Sequence, residues 1–117
     1  MSDDAIGVWL VEAWTRLGTV KVRRMFGGAG VSIDGLSVGL LAEGELYLKV
    51  DGHSRPEFEE RGLAPFIYHK DGKPYAMSYH RAPAELFDDP EEALIWGQRA
   101  LQAARRAATS KPRVKRL

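Results

Sequence analysis

Arg23-Arg24-Met25-Phe26-Gly27-Gly28-Ala29-Gly30 places two cations and two bulky apolar residues directly before three glycines in four positions. Glycine gives up the most conformational freedom on folding, so such a cluster marks backbone that needs positive φ or a close approach. It lies between two β-branched segments, Val20-Lys21-Val22 and Val31-Ser32-Ile33. The stretch therefore reads as a bend or bulge at the entry to a sheet, with Phe26 plugging the core. Met25, Phe26, Gly27, Gly28 and Gly30 form its structural motif.

Working outward, Val31 to Leu41 forms a hairpin around Asp34-Gly35, the turn pair that accepts positive φ at both centres. Ile33 then faces Leu36, and Val31 faces Val38. A three-residue turn, Ala42-Glu43-Gly44, pairs Leu40 with Leu46, Val38 with Leu48 and Leu36 with Val50. That register is preferred over a two-residue loop because it sets apolar against apolar along one face. A second hairpin, Pro65 to His80, turns at Asp71-Gly72. It sets Tyr68 opposite Tyr75 and Phe66 opposite Met77, so Phe66, Tyr68, Tyr75, Met77 and Tyr79 share one face. Aromatics beside basic residues on a sheet also suit RNA stacking. Because a two-layer domain needs a face to receive its helices, this one is expected to be the core side.

Three helices complete the pattern. From about Asp4 to Leu17, the residues Ile6, Trp9, Leu10, Ala13, Trp14 and Leu17 recur at three- and four-residue spacing. Ser2, Asp3 or Asp4 caps the start and Gly18 stops it. Ser54 to Arg61 is a short connector anchored by Phe58, with Ser54 and Glu57 in capping-box position. Asp89, Pro90 and Glu92 open the last helix, which carries Leu94, Trp96, Ala100, Leu101 and Ala104 to Ala107 or Ala108. The expected class is α+β: two layers, an antiparallel sheet of about five strands packed by helices, order α-β-β-β-α-β-β-α.

The 117 residues, 44% hydrophobic and 28% charged, suit one domain with one core. Without cysteine there is no disulfide, thiolate nucleophile or cysteine zinc site. No apolar run is long enough to span a membrane, and the acidic Met1-Ser2-Asp3-Asp4 start is no signal peptide. These features place the chain in the cytoplasm. The net charge of +1 conceals a division. Arg105, Arg106, Lys111, Arg113, Lys115 and Arg116 carry +6, which leaves −5 on residues 1–104. Residues 1–108 are expected to form the domain, and 109–117 a basic, disordered tail.

No catalytic, cofactor or metal motif stands out. Gly28-Ala29-Gly30 lacks the third glycine and following helix of a dinucleotide site. His53, His69 and His80 have no zinc spacing and are expected to be partly exposed, and no serine sits in a nucleophile elbow.

Several strings, in order, resemble the N-terminal domain of the TfoX/Sxy competence-regulator family: Arg24-Met25-Phe26-Gly27-Gly28-Ala29-Gly30-Val31, Asp34-Gly35, Gly39-Leu40-Leu41-Ala42, Leu46-Tyr47-Leu48-Lys49-Val50, Pro65-Phe66-x-Tyr68, Met77-Ser78-Tyr79 and the helix after Asp89-Pro90. The likeness covers about Val8 to Ala107. It implies a two-layer α+β domain and a link to transcriptional co-activators that promote competence genes with a cyclic-AMP receptor protein. It implies no catalytic residue. The longer regulators carry a C-terminal helical domain where this sequence has its basic tail, so a stand-alone N-domain is expected.

The leading expectation is thus a non-enzymatic regulatory module with no cofactor. Its partner is a protein, such as a transcription factor, or nucleic acid held by the tail; homodimerisation is a further option. Candidate contacts are Arg23, Arg24, Arg105, Arg106, Lys111, Arg113, Lys115 and Arg116. The alternative is a small-molecule binder or enzyme with a site between sheet and helices, near the glycine stretch, His69, Tyr75 and Tyr79.

Overall fold

The structure, a computed structural model, describes residues 2–25 and 27–110. Helix α1 (Asp3–Ala13) and a 3-10 turn (Thr15–Leu17) precede strands β1 (Val20–Met25), β2 (Gly28–Ile33), β3 (Leu36–Ala42) and β4 (Glu45–Lys49). Helix α2 (Arg55–Glu60) leads to β5 (Pro65–Lys70) and β6 (Lys73–Arg81), and α3 (Pro90–Ser110) closes the described chain. The expected α+β architecture is present, with one antiparallel six-stranded sheet in the order β1-β2-β3-β4-β6-β5. Val20-Lys21-Val22 opens a full edge strand. No helix among the described residues is long and apolar enough to cross a membrane.

The glycine stretch is a hairpin rather than a bend into the sheet. Strands β1 and β2 pair from Val20 opposite Ile33 to Met25 opposite Gly28. Gly27 has φ +81°, as a tight return requires. Phe26, expected as a core plug, lies outside the described residues.

Two expected registers are corrected. Ile33 does face Leu36, and Ser32 faces Ser37, but Val31 then faces Gly39 instead of Val38. Val38 is the extra residue of a bulge. Beyond it the side-chain alternation is reset, so Val38 and Leu41 are both buried. The next turn has two residues, not three: Ala42 pairs with Glu45, Leu41 with Leu46, Leu40 with Tyr47 and Gly39 with Leu48. Glu43 and Gly44 take φ +52° and +77°, the conformation also held by Asp34-Gly35 and Asp71-Gly72. The argument of apolar against apolar holds once the bulge is included, because Leu41, not Leu40, is the residue that turns inward.

Every helix packs on one side of this sheet. In α1, Ser2 caps the start by accepting from Ala5 N–H, and Ile6 and Leu10 enter the core. Just past its end, Trp14 is fully buried and its Nε1 donates to the Ala93 carbonyl of α3 at 2.8 Å. Phe58 on α2 meets Trp96 on α3 edge to face, with centroids 5.6 Å apart. The capping box expected at Ser54 is absent; Ser54 Oγ accepts from Asp51 N–H instead, and Asp51 Oδ1 accepts from Ser54 N–H. At α3, Asp89 caps as expected by accepting from Glu91 N–H. Glu92 accepts from Trp96 Nε1. The helix continues to Ser110, past Ala108.

Candidate functional site

With the helices on one side, strand alternation sends every second side chain to the other side of the sheet. Inward residues include Val31 and Ile33 of β2, Val38 and Leu41 of β3, Leu46 and Leu48 of β4, and His80 of β6, all buried. Their neighbours point the opposite way. Tyr47 of β4 meets Phe66 of β5 edge to face at 5.1 Å, across the outward side of β6. Tyr79 shares a 2.7 Å hydroxyl hydrogen bond with Ser37 on β3.

The aromatic hairpin face is therefore the correction that matters most for function. Tyr68 does lie opposite Tyr75. The expected Phe66–Met77 pair instead falls in a register shift between Pro65 opposite His80 and Ile67 opposite Ala76. Two residues are added across that shift, and Phe66, Tyr68, Tyr75 and Tyr79 share a face, whereas Met77 lies in the irregular segment. That face is the open one. Tyr68 is 43% exposed and Tyr75 49%. On the helix side of this hairpin His80 is buried against Phe58 of α2, with ring centroids 5.9 Å apart, while Ala76 is exposed.

Charge on the strands is one-sided. Among the described residues, Glu45 is the only acid within any strand, against seven lysines and arginines. Arg24 turns inward and pairs with Asp4 of α1 at 3.1 Å. By strand parity the other six, Lys21, Arg23, Lys49, Lys70, Lys73 and Arg81, lie on the open face. Arg81 pairs there with Glu45 at 2.8 Å. Lys49 donates to Ser78 Oγ at 2.8 Å and sits over the Tyr79 ring, 5.0 Å from its centroid. The remaining acids occupy helices, turns and loops.

The expected contact residues are dispersed by this arrangement. Arg23 and Arg24 lie on edge strand β1 with side chains on opposite faces. Arg105 is exposed on α3. Arg106 is committed to Asp51: Nε donates to Oδ2 at 2.6 Å and Nη2 to Oδ1 at 3.2 Å, tying α3 to the loop after β4. The Arg106 hydrogen bond comes first among the causes that hold the Asp51 carboxyl well below the usual carboxylate range, with help from Ser54 and against the cost of burial. Lys111, Arg113, Lys115 and Arg116 lie outside the described residues.

The site imagined between sheet and helices is not assembled. The glycine hairpin and the β5–β6 hairpin stand at opposite edges of the sheet. His69 and Tyr75 are exposed, and Tyr79 faces away from the helices. His80, expected to be partly exposed, is 3% exposed and its Nδ1 donates to the Leu63 carbonyl at 2.7 Å. It borders an open groove of about 750 Å³ beside α2, lined also by Arg55, Glu59 and Met77. No cluster of histidines and carboxylates among the described residues could hold a metal ion.

Sequence reasoning missed Lys21, Tyr47, Lys49, Lys70, Lys73 and Arg81. The signal was present in the near absence of acids from segments rich in β-formers. Strand charge counted separately from total charge would have found it.

The family model of the TfoX N-terminal domain matches residues 12–104, from the second half of α1 into α3. The chain belongs to this family. No curated protein matches the sequence.

Proposed function

We propose that this TfoX N-terminal domain is a cytoplasmic, non-enzymatic regulatory module that engages its partner through the open face of its sheet. The regulatory part rests on the family, whose longer members resemble transcriptional co-activators. The mode of action rests on one observation: an exposed aromatic and basic sheet face opposite the one that the helices cover. Scattered exposed apolar residues need no explanation, but contiguous ones framed by polar groups mark interaction sites.

The test is a transcript profile of the source organism with the gene deleted, then complemented. Wild type should restore the altered transcripts. Tyr68→Thr/Tyr75→Thr, which keeps β-forming residues at both exposed positions, should accumulate normally and fail to restore them. Full restoration by this variant contradicts a role for the face. An unchanged profile on deletion contradicts regulation.

A further inference from the structure

We infer that the open face is a platform for single-stranded nucleic acid, with bases stacking on its exposed aromatics and phosphates meeting its cations. The inference deepens the reading above by naming the partner's chemistry, and it stands on three observations.

The first is the kind of apolar surface. Of the tyrosines, Tyr68 and Tyr75 stand side by side as a cross-strand pair and are more than two-fifths exposed. Phe66 and Tyr47 continue the surface toward the sheet centre as a half-buried edge-to-face pair. A flat array of rings on neighbouring strands accepts bases of any sequence, since every base has a π face. Tyr79 is only 9% exposed and its hydroxyl is taken by Ser37, so it braces the array rather than stacking.

The second is charge. Residues 1–104 carry a net −5, yet their share of the open face holds six cations and one acid. Lys70 and Lys73 flank the tyrosine pair on the same strands, two register positions beyond it. Lys21 and Arg23 occupy the opposite edge. Six strands span about 24 Å from edge to edge, so a chain crossing them passes from one cationic margin to the other. A protein surface of matching size would need acids to meet these cations; a phosphodiester backbone supplies one at each step.

The third is shape. A double helix needs a helix or ribbon projecting into a groove. Here α1, α2 and α3 all pack on the far side of the sheet, and a broad, open sheet suits splayed bases instead.

The experiment is fluorescence anisotropy of the full chain with labelled 12-nucleotide oligo-dT, oligo-U and a mixed-sequence duplex. The expected result is binding of single strands in preference to duplex. The affinity should fall with a log–log salt slope of about −2 to −3, as three or four phosphate contacts give. Tyr68→Thr/Tyr75→Thr should weaken binding by about 5- to 100-fold, the range for losing one stacked base. Lys70→Gln/Lys73→Gln should make the slope shallower by about 1 to 1.5. Arg99→Gln, on the helix side, should leave binding unchanged; the melting temperature of each variant is checked first. A full-chain variant with Lys111, Arg113, Lys115 and Arg116 changed to Gln separates the tail from the face. Binding that survives both face variants but is lost in the tail variant overturns the inference, as does equal affinity for duplex or no binding. If oligonucleotides fail while the face variant still fails to restore transcripts, the proposed function stands and the face binds a protein.

Discussion

At Gly28 a methyl group has nowhere to go. A Cβ built there would lie 2.2 Å from the carbonyl oxygen of Leu41 on the neighbouring strand, and backbone cannot swing aside as a side-chain tip can. Gly28→Ala should cost about 2–3 kcal/mol in a urea melt, at the upper end for overpacking. The glycine stretch announced a backbone requirement, and here the requirement is close approach. Asp51 shows the complementary case of a charge with a fixed task. Its folded carboxyl is held below the usual range, so on acidification the unfolded chain takes up the proton first. The stability it contributes is complete above about pH 4 and drains as pH falls from there toward the folded value. Asp51→Asn should lose about 1 kcal/mol at pH 7, a modest figure because Arg106 keeps a 40% exposed side chain. Urea melts at pH 7, 4 and 3 should show the gap between wild type and variant closing with acid; a constant gap would contradict the account. The sequence offered Arg106 as a candidate contact residue because a cation fifty-five positions from its acid leaves no local signature.

Between elements, packing is set by a few close crossings. Where α1 gives way to its 3-10 turn, Trp14 meets Gly97 of α3, and a Cβ at Gly97 would sit 2.4 Å from Trp14 Nε1. Gly97→Ala should cost about 1–3 kcal/mol, and Trp14→Phe a similar amount through the lost hydrogen bond to Ala93 and the lost volume. The two residues are in contact, so the double variant should be more stable than the sum of the singles implies. A double-mutant cycle by thermal melts reads this directly, and strict additivity would place the two changes in independent sites. Helical periodicity made this interface legible: Ile6, Leu10, Trp14, Trp96 and Leu101 were all on the expected stripes and are buried. The hairpin turns were legible from Asp34-Gly35 and Asp71-Gly72. The β3 register was not, because one residue of bulge at Val38 reverses which leucine of the Leu40-Leu41 pair points inward. Gly39, a glycine inside a strand pattern, was the available sign.

Over the whole molecule, strand alternation told which residues share a face but not which layer that face meets. Phe66, Tyr68, Tyr75, Met77 and Tyr79 were grouped together by period alone, and the grouping holds for Phe66 and the three tyrosines. Their assignment to the core failed because aromatic bulk was taken as the mark of burial, whereas the helices cover the aliphatic side chains of β2, β3 and β4 and meet this hairpin at His80, against Phe58 of α2. Net charge hid the same division. A chain of net +1 holds every acid but Glu45 in helices, turns and loops, and six of its seven strand cations on one surface. Separation of that kind creates a field favouring a polyanion at the sheet, and the same field vanishes from any whole-chain average. The most direct test of this account is an NMR titration of the isotopically labelled full chain with unlabelled oligo-dT. Shifts concentrated at Tyr47, Lys49, Tyr68, Lys73 and Tyr75, with α3 unmoved through Ala93 to Ala104, are the predicted result. Shifts confined to the helix side or to residues 109–117, with the open face silent, would contradict it.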